Sequence, residues 1–204
     1  MPPERTGSIA AVVLAAGSSA RMGRNKLLLS LGGESVLRRA VRRASEAGLD
    51  PVLVVLGHDA GRATAELAGL ACRPVVNPEW SLGKSASVRA GIAAVPPEAI
   101  AAIVMLADMP LVTAEMLAEL ARTYRRGAAR AVASRYGDVH APPILYDRTL
   151  FDELVATKGD HCGKHVVKHH GAEAAVVTWP PAALADLDVP ADYERIRAAE
   201  LEGR

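Results

Sequence analysis

A short basic stretch near the start of the chain carries the first residues suited to chemistry. Residues 14–26 read Leu-Ala-Ala-Gly-Ser-Ser-Ala-Arg-Met-Gly-Arg-Asn-Lys. Gly17 and Gly23 let the backbone turn and bring N–H groups close to an anion. Arg21 offers a planar fork for phosphate oxygens, and Lys26 a compact point charge. This is not a P-loop, in which lysine directly follows the second glycine, because Arg24 and Asn25 intervene. Nor is it the G-x-G-x-x-G dinucleotide fingerprint. Asp108, in Leu106-Ala-Asp-Met-Pro110, adds a carboxylate. Mg²⁺ favours one or two carboxylates together with phosphate oxygens and water, so an aspartate beside a triphosphate suits it. Taken alone, a solvated basic loop and an aspartate in a turn are the plainer alternatives.

Three further stretches are candidates. Residues 77–91, Asn-Pro-Glu-Trp-Ser-Leu-Gly-Lys-Ser-Ala-Ser-Val-Arg-Ala-Gly, open a helix with small residues. Free N–H groups at a helix start suit a polar or anionic ligand edge. Asp186-Leu-Asp-Val-Pro190 precedes the last helix, where aspartates favour the positive end of the helix dipole. The region from His140 to Lys164 precedes or includes histidines 161, 165, 169 and 170, and the spacing of 161, 165 and 169 invites a zinc reading. Gly159 and Gly163 interrupt that set, and no carboxylate or cysteine completes it in the sequence. The spacing therefore argues against zinc.

The elements that must position these residues alternate between strand and helix. Ile9 to Leu14 is a continuous apolar run with the look of a strand buried on both faces. Val36, Leu37, Ala40, Val41 and Ala44 recur at helical spacing, with Gly48 as a stop. Pro51 opens a second buried strand over 52–56, and 60–70 reads as a helix before an apolar stretch at Val75 and Val76. Val88, Ile92 and Val95 mark another helix, closed by Pro96-Pro97, and 101–106 is the next strand. Thr113 is a natural cap for a helix carrying Leu117, Leu120, Ala121 and Tyr124. Ala131 to Ser134 is a weaker strand. From Gly137 onward, Pro142, Pro143 and several glycines predict loops and short helices, with a returning strand over 174–178 and a final helix from Pro190. Repeated βα units imply an α/β fold of one domain, with a doubly wound, mostly parallel sheet. Ligands in such sheets bind outside the carboxyl ends of the strands, where both Gly17 and Asp108 fall.

Bulk properties narrow the function. The chain of 204 residues suits one α/β domain. A formal net charge of +1 gives no field for nucleic acid or membrane, and 3% aromatic residues leave little for stacking on single strands. Two cysteines, Cys72 and Cys162, make no disulfide framework or metal knuckle. The N-terminus lacks the basic and apolar regions of a signal peptide, and no apolar run approaches the ~20 residues of a membrane helix. A cytoplasmic location is expected by elimination.

Residues 13–29 resemble the signature loop of the molybdenum cofactor cytidylyltransferases, within the nucleotidyltransferase superfamily. The sister guanylyltransferase branch typically has Leu-Ala-Gly-Gly where this chain has Leu-Ala-Ala-Gly at 14–17. The resemblance implies a three-layer, Rossmann-like nucleotide-diphospho-sugar transferase fold. It implies CMP transfer from CTP to molybdopterin, dependent on Mg²⁺, with a molybdoenzyme or its maturation factor as a possible partner. Residues about 8–110 then form a nucleotide-binding half, and about 111–204 an acceptor-binding half. Leu14, Ala15, Ala16, Gly17, Arg21, Lys26, Asn77, Gly83, Ser87 and Asp108 are implied nucleotide contacts, with Arg21, Lys26 and Asp108 catalytic. Asp108 and Asp188 are implied metal ligands, although Val189 replaces the usual threonine of the Asp-Ile-Asp-Thr-Pro-like string. His140 and Asp160 are implied acceptor contacts. The family's Gly-Asp-x-Gly-Ala-Arg string is matched only by Gly159, Asp160 and Gly163, since Lys164 and His165 replace Ala and Arg. That departure leaves another phosphorylated acceptor, such as a sugar phosphate, as an alternative. A nucleotide-binding maturation protein without turnover is a third reading.

Overall fold

The computed structural model describes residues 4–159 and 163–202. Its strands are β1 (Ser8–Ala15), β2 (Ser30–Leu31), β3 (Glu34–Ser35), β4 (Val52–Leu56), β5 (Arg73–Val76), β6 (Ala99–Leu106), β7 (Ala131–Tyr136), β8 (Val139–Asp147) and β9 (Ala174–Trp179). The α-helices are α1 (Val36–Glu46), α2 (Ala60–Glu66), α3 (Lys84–Ala93), α4 (Ala114–Arg126), α5 (Phe151–Ala156), α6 (Lys164–His169) and α7 (Pro190–Glu202). Seven strands share one sheet in the order β5-β4-β1-β6-β8-β7-β9, and β2 and β3 form a separate small hairpin. Four of the six pairings in the large sheet are parallel. This is the doubly wound, mostly parallel sheet expected from the alternating apolar runs.

β1 shows why the run at its core is unbroken. It lies between β4 and β6, so both its edges are paired and both its faces are covered. Ile9, Ala11, Val13 and Ala15 pack on one face with residues of α1, α4 and α7. Ala10, Val12 and Leu14 pack on the other with residues of α3, α5 and α6. Period-two alternation thus feeds two apolar layers, and the helices make the outer ones. With so few aromatics, close approach substitutes for bulk. A Cβ on Gly91 of α3 would strike Val12 and come within 2.9 Å of Val55, so only glycine lets α3 sit this near the sheet.

Two predicted boundaries shift. The helix expected over 60–70 ends at Glu66, where the chain tightens toward Gly69 at φ 79°. The larger change is β8, where loops were expected around Pro142 and Pro143. β8 pairs antiparallel with β6 and β7 in the middle of the sheet. Ala133 pairs with Ile144 and Ser134 with Ala141, so the ladder to β7 skips both prolines in a bulge. That placement removes the conflict between proline and strand hydrogen bonding.

Candidate active site

β1 ends on the open side of the sheet, where the strand order reverses between β4 and β6. Its exit loop is held by its own side chains. Ser19 sits at φ 55°, an unusual left-handed position for a residue other than glycine, and its Oγ accepts the Lys26 N–H at 3.2 Å. Asn25 donates from its amide nitrogen to Asp59 at 3.2 Å, and its amide oxygen accepts the Leu27 N–H at 3.1 Å. His58 N–H donates to the Ala16 carbonyl at 3.1 Å. A Cβ on Gly57 would overlap Trp80 and come within 2.9 Å of the Ala16 Cβ, so Trp80 wedges directly against the strand ends. His58 meets the Trp80 ring edge-on, with centroids 5.2 Å apart.

The acidic side of the site is built from two distant loops. Asp108 follows β6, and its carbonyl accepts the Leu187 N–H at 3.0 Å. That bond stitches the segment before α7 to the loop after β6 and sets Asp188 beside Asp108. Asp192 in the first turn of α7 accepts the N–H groups of Asp188 at 3.1 Å and Val189 at 3.0 Å. It supplies the cap for which Val189 has no side-chain oxygen. The hydrogen bond from Val189, followed by that from Asp188 and the Arg195 charge, holds the Asp192 carboxyl below its ordinary range against a smaller effect of burial.

Four charged side chains converge here. Lys26 Nζ is 2.5 Å from Asp108 Oδ2 and 3.4 Å from Asp188 Oδ1, and Arg21 is 2.9 Å from Asp188 Oδ2. The Lys26 side chain is only 13% exposed, whereas Arg21 is 69% exposed and reaches in from the rim. Together they line a cleft of about 400 Å³ that also takes Leu14, Ala15, Ala16, Gly17, Gly83 and Ser87. This volume is in the range of small-molecule sites. Among the described residues no histidine or cysteine lines it. Two carboxylates on a polar wall, already drawn to a cation, are a donor set fit for a hard divalent ion completed by phosphate oxygens and water.

A family profile described as the MobA-like NTP transferase domain matches residues 11–175. The chain belongs to the MobA-like NTP transferase family. It is 31% identical over 209 residues to the purine catabolism protein PucB of Bacillus subtilis, covering 96% of this chain and 98% of that one. It is 35% identical over 136 residues to a probable molybdenum cofactor guanylyltransferase of Opitutus terrae, covering 66% of this chain and 64% of the relative. The crystal structure of Rv0371c from Mycobacterium tuberculosis superposes with a TM-score of 0.84 at 31% identity, over 95% of this chain and 100% of that chain. A manganese complex of Rv0371c superposes with a TM-score of 0.78 at 29% identity, over 94% of this chain and 99% of that chain. Nucleotidyltransferase chemistry is therefore the family frame for this cleft.

Within this MobA-like domain, the residues expected at the nucleotide line one cleft with the exception of Asn77, and the expected acceptor contacts His140 and Asp160 are a separate matter. Asn77 is 3% exposed and does not line the cleft. Its amide nitrogen donates to Ser87 Oγ at 3.2 Å and its amide oxygen accepts the Glu79 N–H at 3.0 Å, so it orients Ser87 from behind. His140, on β8, lines a separate cavity with residues of α6 and β9 rather than the cleft. Asp160 lies outside the described residues. The cleft also contains Trp80, Lys84 and Asp186, which carried no binding assignment in the sequence. Trp80 stands three residues before Gly83, whose φ of 102° starts α3. No helix among the described residues is long and apolar enough to cross a membrane.

Proposed function

We propose that this chain transfers CMP from CTP to the terminal phosphate of molybdopterin, releasing pyrophosphate, with Mg²⁺ as the divalent ion. The observation that carries the reading is the convergence of Lys26, Arg21, Asp108 and Asp188 at the exit of β1. The Leu-Ala-Ala-Gly form of that exit supports CTP over GTP. In this reading residues about 8–110 supply most of the nucleotide's contacts and about 111–204 the acceptor's, with Asp186 and Asp188 crossing over to the nucleotide cleft.

An acceptor phosphate oxygen attacks the α-phosphorus as the bond to the β-phosphate oxygen breaks, and pyrophosphate leaves in line. The nucleophile is already an anion, which suits a cleft where no histidine or cysteine lines the wall among the described residues. The protein's contribution is positioning and charge. The backbone around Gly17 turns along the polyphosphate. Lys26 swings from its carboxylates to the β- and γ-phosphate oxygens and neutralises charge growing on the leaving group, with Arg21 at the rim. Ser87, oriented by Asn77, and the Trp80 side chain flank the nucleoside end. Asp108 and Asp188 would hold the divalent ion, which would supply neutralisation of the α-phosphate charge. The cleft's three cations, Arg21, Lys26 and Lys84, are matched by Asp108, Asp186 and Asp188. A bare triphosphate therefore meets no net positive site, and its complex with a dication is the better fit.

The test is pyrophosphate release with each of the four ribonucleoside triphosphates, Mg²⁺ and molybdopterin. Release with CTP and molybdopterin together is expected. Release with GTP instead would reassign the nucleotide, and release only with a sugar phosphate would reassign the acceptor. Binding of CTP without product for any acceptor would leave a non-catalytic maturation protein.

A further inference from the structure

Away from the cleft, packing of α5 against α6 brings three ligand-bearing side chains to one point. Glu153 of α5 places Oε1 2.9 Å from His169 Nδ1 and Oε2 2.7 Å from His170 Nε2, at the end of α6. One ligand atom from each residue lies within 4.8 Å of the other two. The two imidazoles are inclined by 46° with centroids 4.8 Å apart. Of the set spaced at 161, 165 and 169 only His169 takes part: His165 meets Thr157 Oγ1 at 2.8 Å, His161 lies outside the described residues, and the carboxylate comes from a different helix.

We propose that Glu153, His169 and His170 form a binding site for a borderline transition-metal dication of the Zn²⁺ kind, distinct from the oxygen-lined cleft. Two imidazole nitrogens and one carboxylate oxygen, with water in the fourth place, are a donor set that Zn²⁺ accepts and Mg²⁺ does not favour. Both histidines already aim a ring nitrogen at the same carboxylate, so an ion entering between them displaces the two ring protons and meets three donor atoms that already converge. The other ring nitrogen of His170, Nδ1, lies 4.0 Å from Glu173 Oε2, beyond hydrogen-bond distance, and Glu173 is itself 3.1 Å from Arg130. Glu173 therefore adds negative charge near the imidazole without fixing its tautomer. His170 is 16% exposed and His169 74%, which gives one anchored ligand and one open to arriving ions. The ion would clamp the end of α6 to α5. Lys164 and Lys168 of α6 line the cavity of about 450 Å³ that His140 also borders, so the clamp would steady that wall.

The test is calorimetry of the full chain with Zn²⁺ under saturating Mg²⁺, paired with thermal unfolding. The expected result is one Zn²⁺ per chain and a rise in Tm of several degrees. Binding should weaken at least tenfold in both His170→Ala and Glu153→Gln, the latter keeping side-chain shape, and should survive in Asp108→Asn and Cys72→Ser. Absence of Zn²⁺ binding, binding unchanged in the Glu153→Gln and His170→Ala variants, or loss in Asp108→Asn or Cys72→Ser would overturn the proposal.

Discussion

Lys26 Nζ bridges Asp108 and Asp188, 2.5 Å from one carboxylate and 3.4 Å from the other. One ammonium therefore occupies the charge position that a divalent ion would share. Lys26→Ala is expected to have two opposite effects. Turnover should fall by a factor on the order of 10²–10³, as when one preorganised charge contact is lost. Binding of Mg²⁺ without nucleotide should tighten, because the carboxylates lose their counter-charge. Pyrophosphate release reads the first effect and magnesium calorimetry the second. Near-normal turnover would remove Lys26 from the mechanism.

Gly57 and Gly91 separate a site glycine from a packing glycine. A Cβ on Gly57 overlaps Trp80, and one on Gly91 overlaps Val12 of the core. Each alanine variant should lose about 1–3 kcal/mol of stability by overpacking. Only Gly57→Ala should also raise the KM for nucleotide at a temperature where both variants are folded. Equal KM values in the two variants would show that Trp80 does not face the nucleotide.

Asp192 holds the segment that carries Asp188. Asp192→Ala removes a cap that accepts two N–H groups and should cost about 0.5–2 kcal/mol. Because the folded carboxyl is depressed below its unfolded value, this contribution is present above the unfolded pKa of about 4 and fades as pH falls through the folded value. Urea titrations of both proteins at pH 7 and pH 3 should show the difference shrinking in acid. The catalytic loss in Asp192→Ala should resemble a mild version of that in Asp188→Asn.

Burial, the largest cause, pushes the Tyr136 phenol up to about 12, and its O–H donates to the Pro142 carbonyl at 3.1 Å. Tyr124 is likewise raised to about 12, by burial first and then by its hydrogen bond to Asp147. A folded value above the unfolded one means the stability is fully present below pH ~10 and is lost as pH rises toward 12. Melting temperatures between pH 9 and pH 11.5 should fall, and they should fall less steeply in Tyr136→Phe.

The central strands and the first loop were legible because their signals are local. Ile9 to Leu14 is buried on both faces and reads as such, and Thr113 caps α4 by accepting the Met116 N–H as expected. β8 was not legible, because Pro142 and Pro143 deny a strand locally and only the pairing with β7 reveals the bulge that accommodates them. At the site, Arg21, Lys26, Asp108 and Asp188 were named from a motif and they meet. Asn77 was named from the same kind of signal yet faces Ser87 instead, since a motif does not tell a contact from its support. Trp80 and Glu153 owe their positions to tertiary packing. Trp80 depends on the missing side chain of Gly57, and Glu153 depends on α6 folding back on α5.

Calorimetric titration of the protein with CTP, with and without Mg²⁺, bears most directly on the cleft. Strong binding only with the ion, lost in Asp108→Asn while the fold is retained, is the predicted result. Equal binding with and without the ion, or ion-dependent binding undiminished in Asp108→Asn, would contradict it.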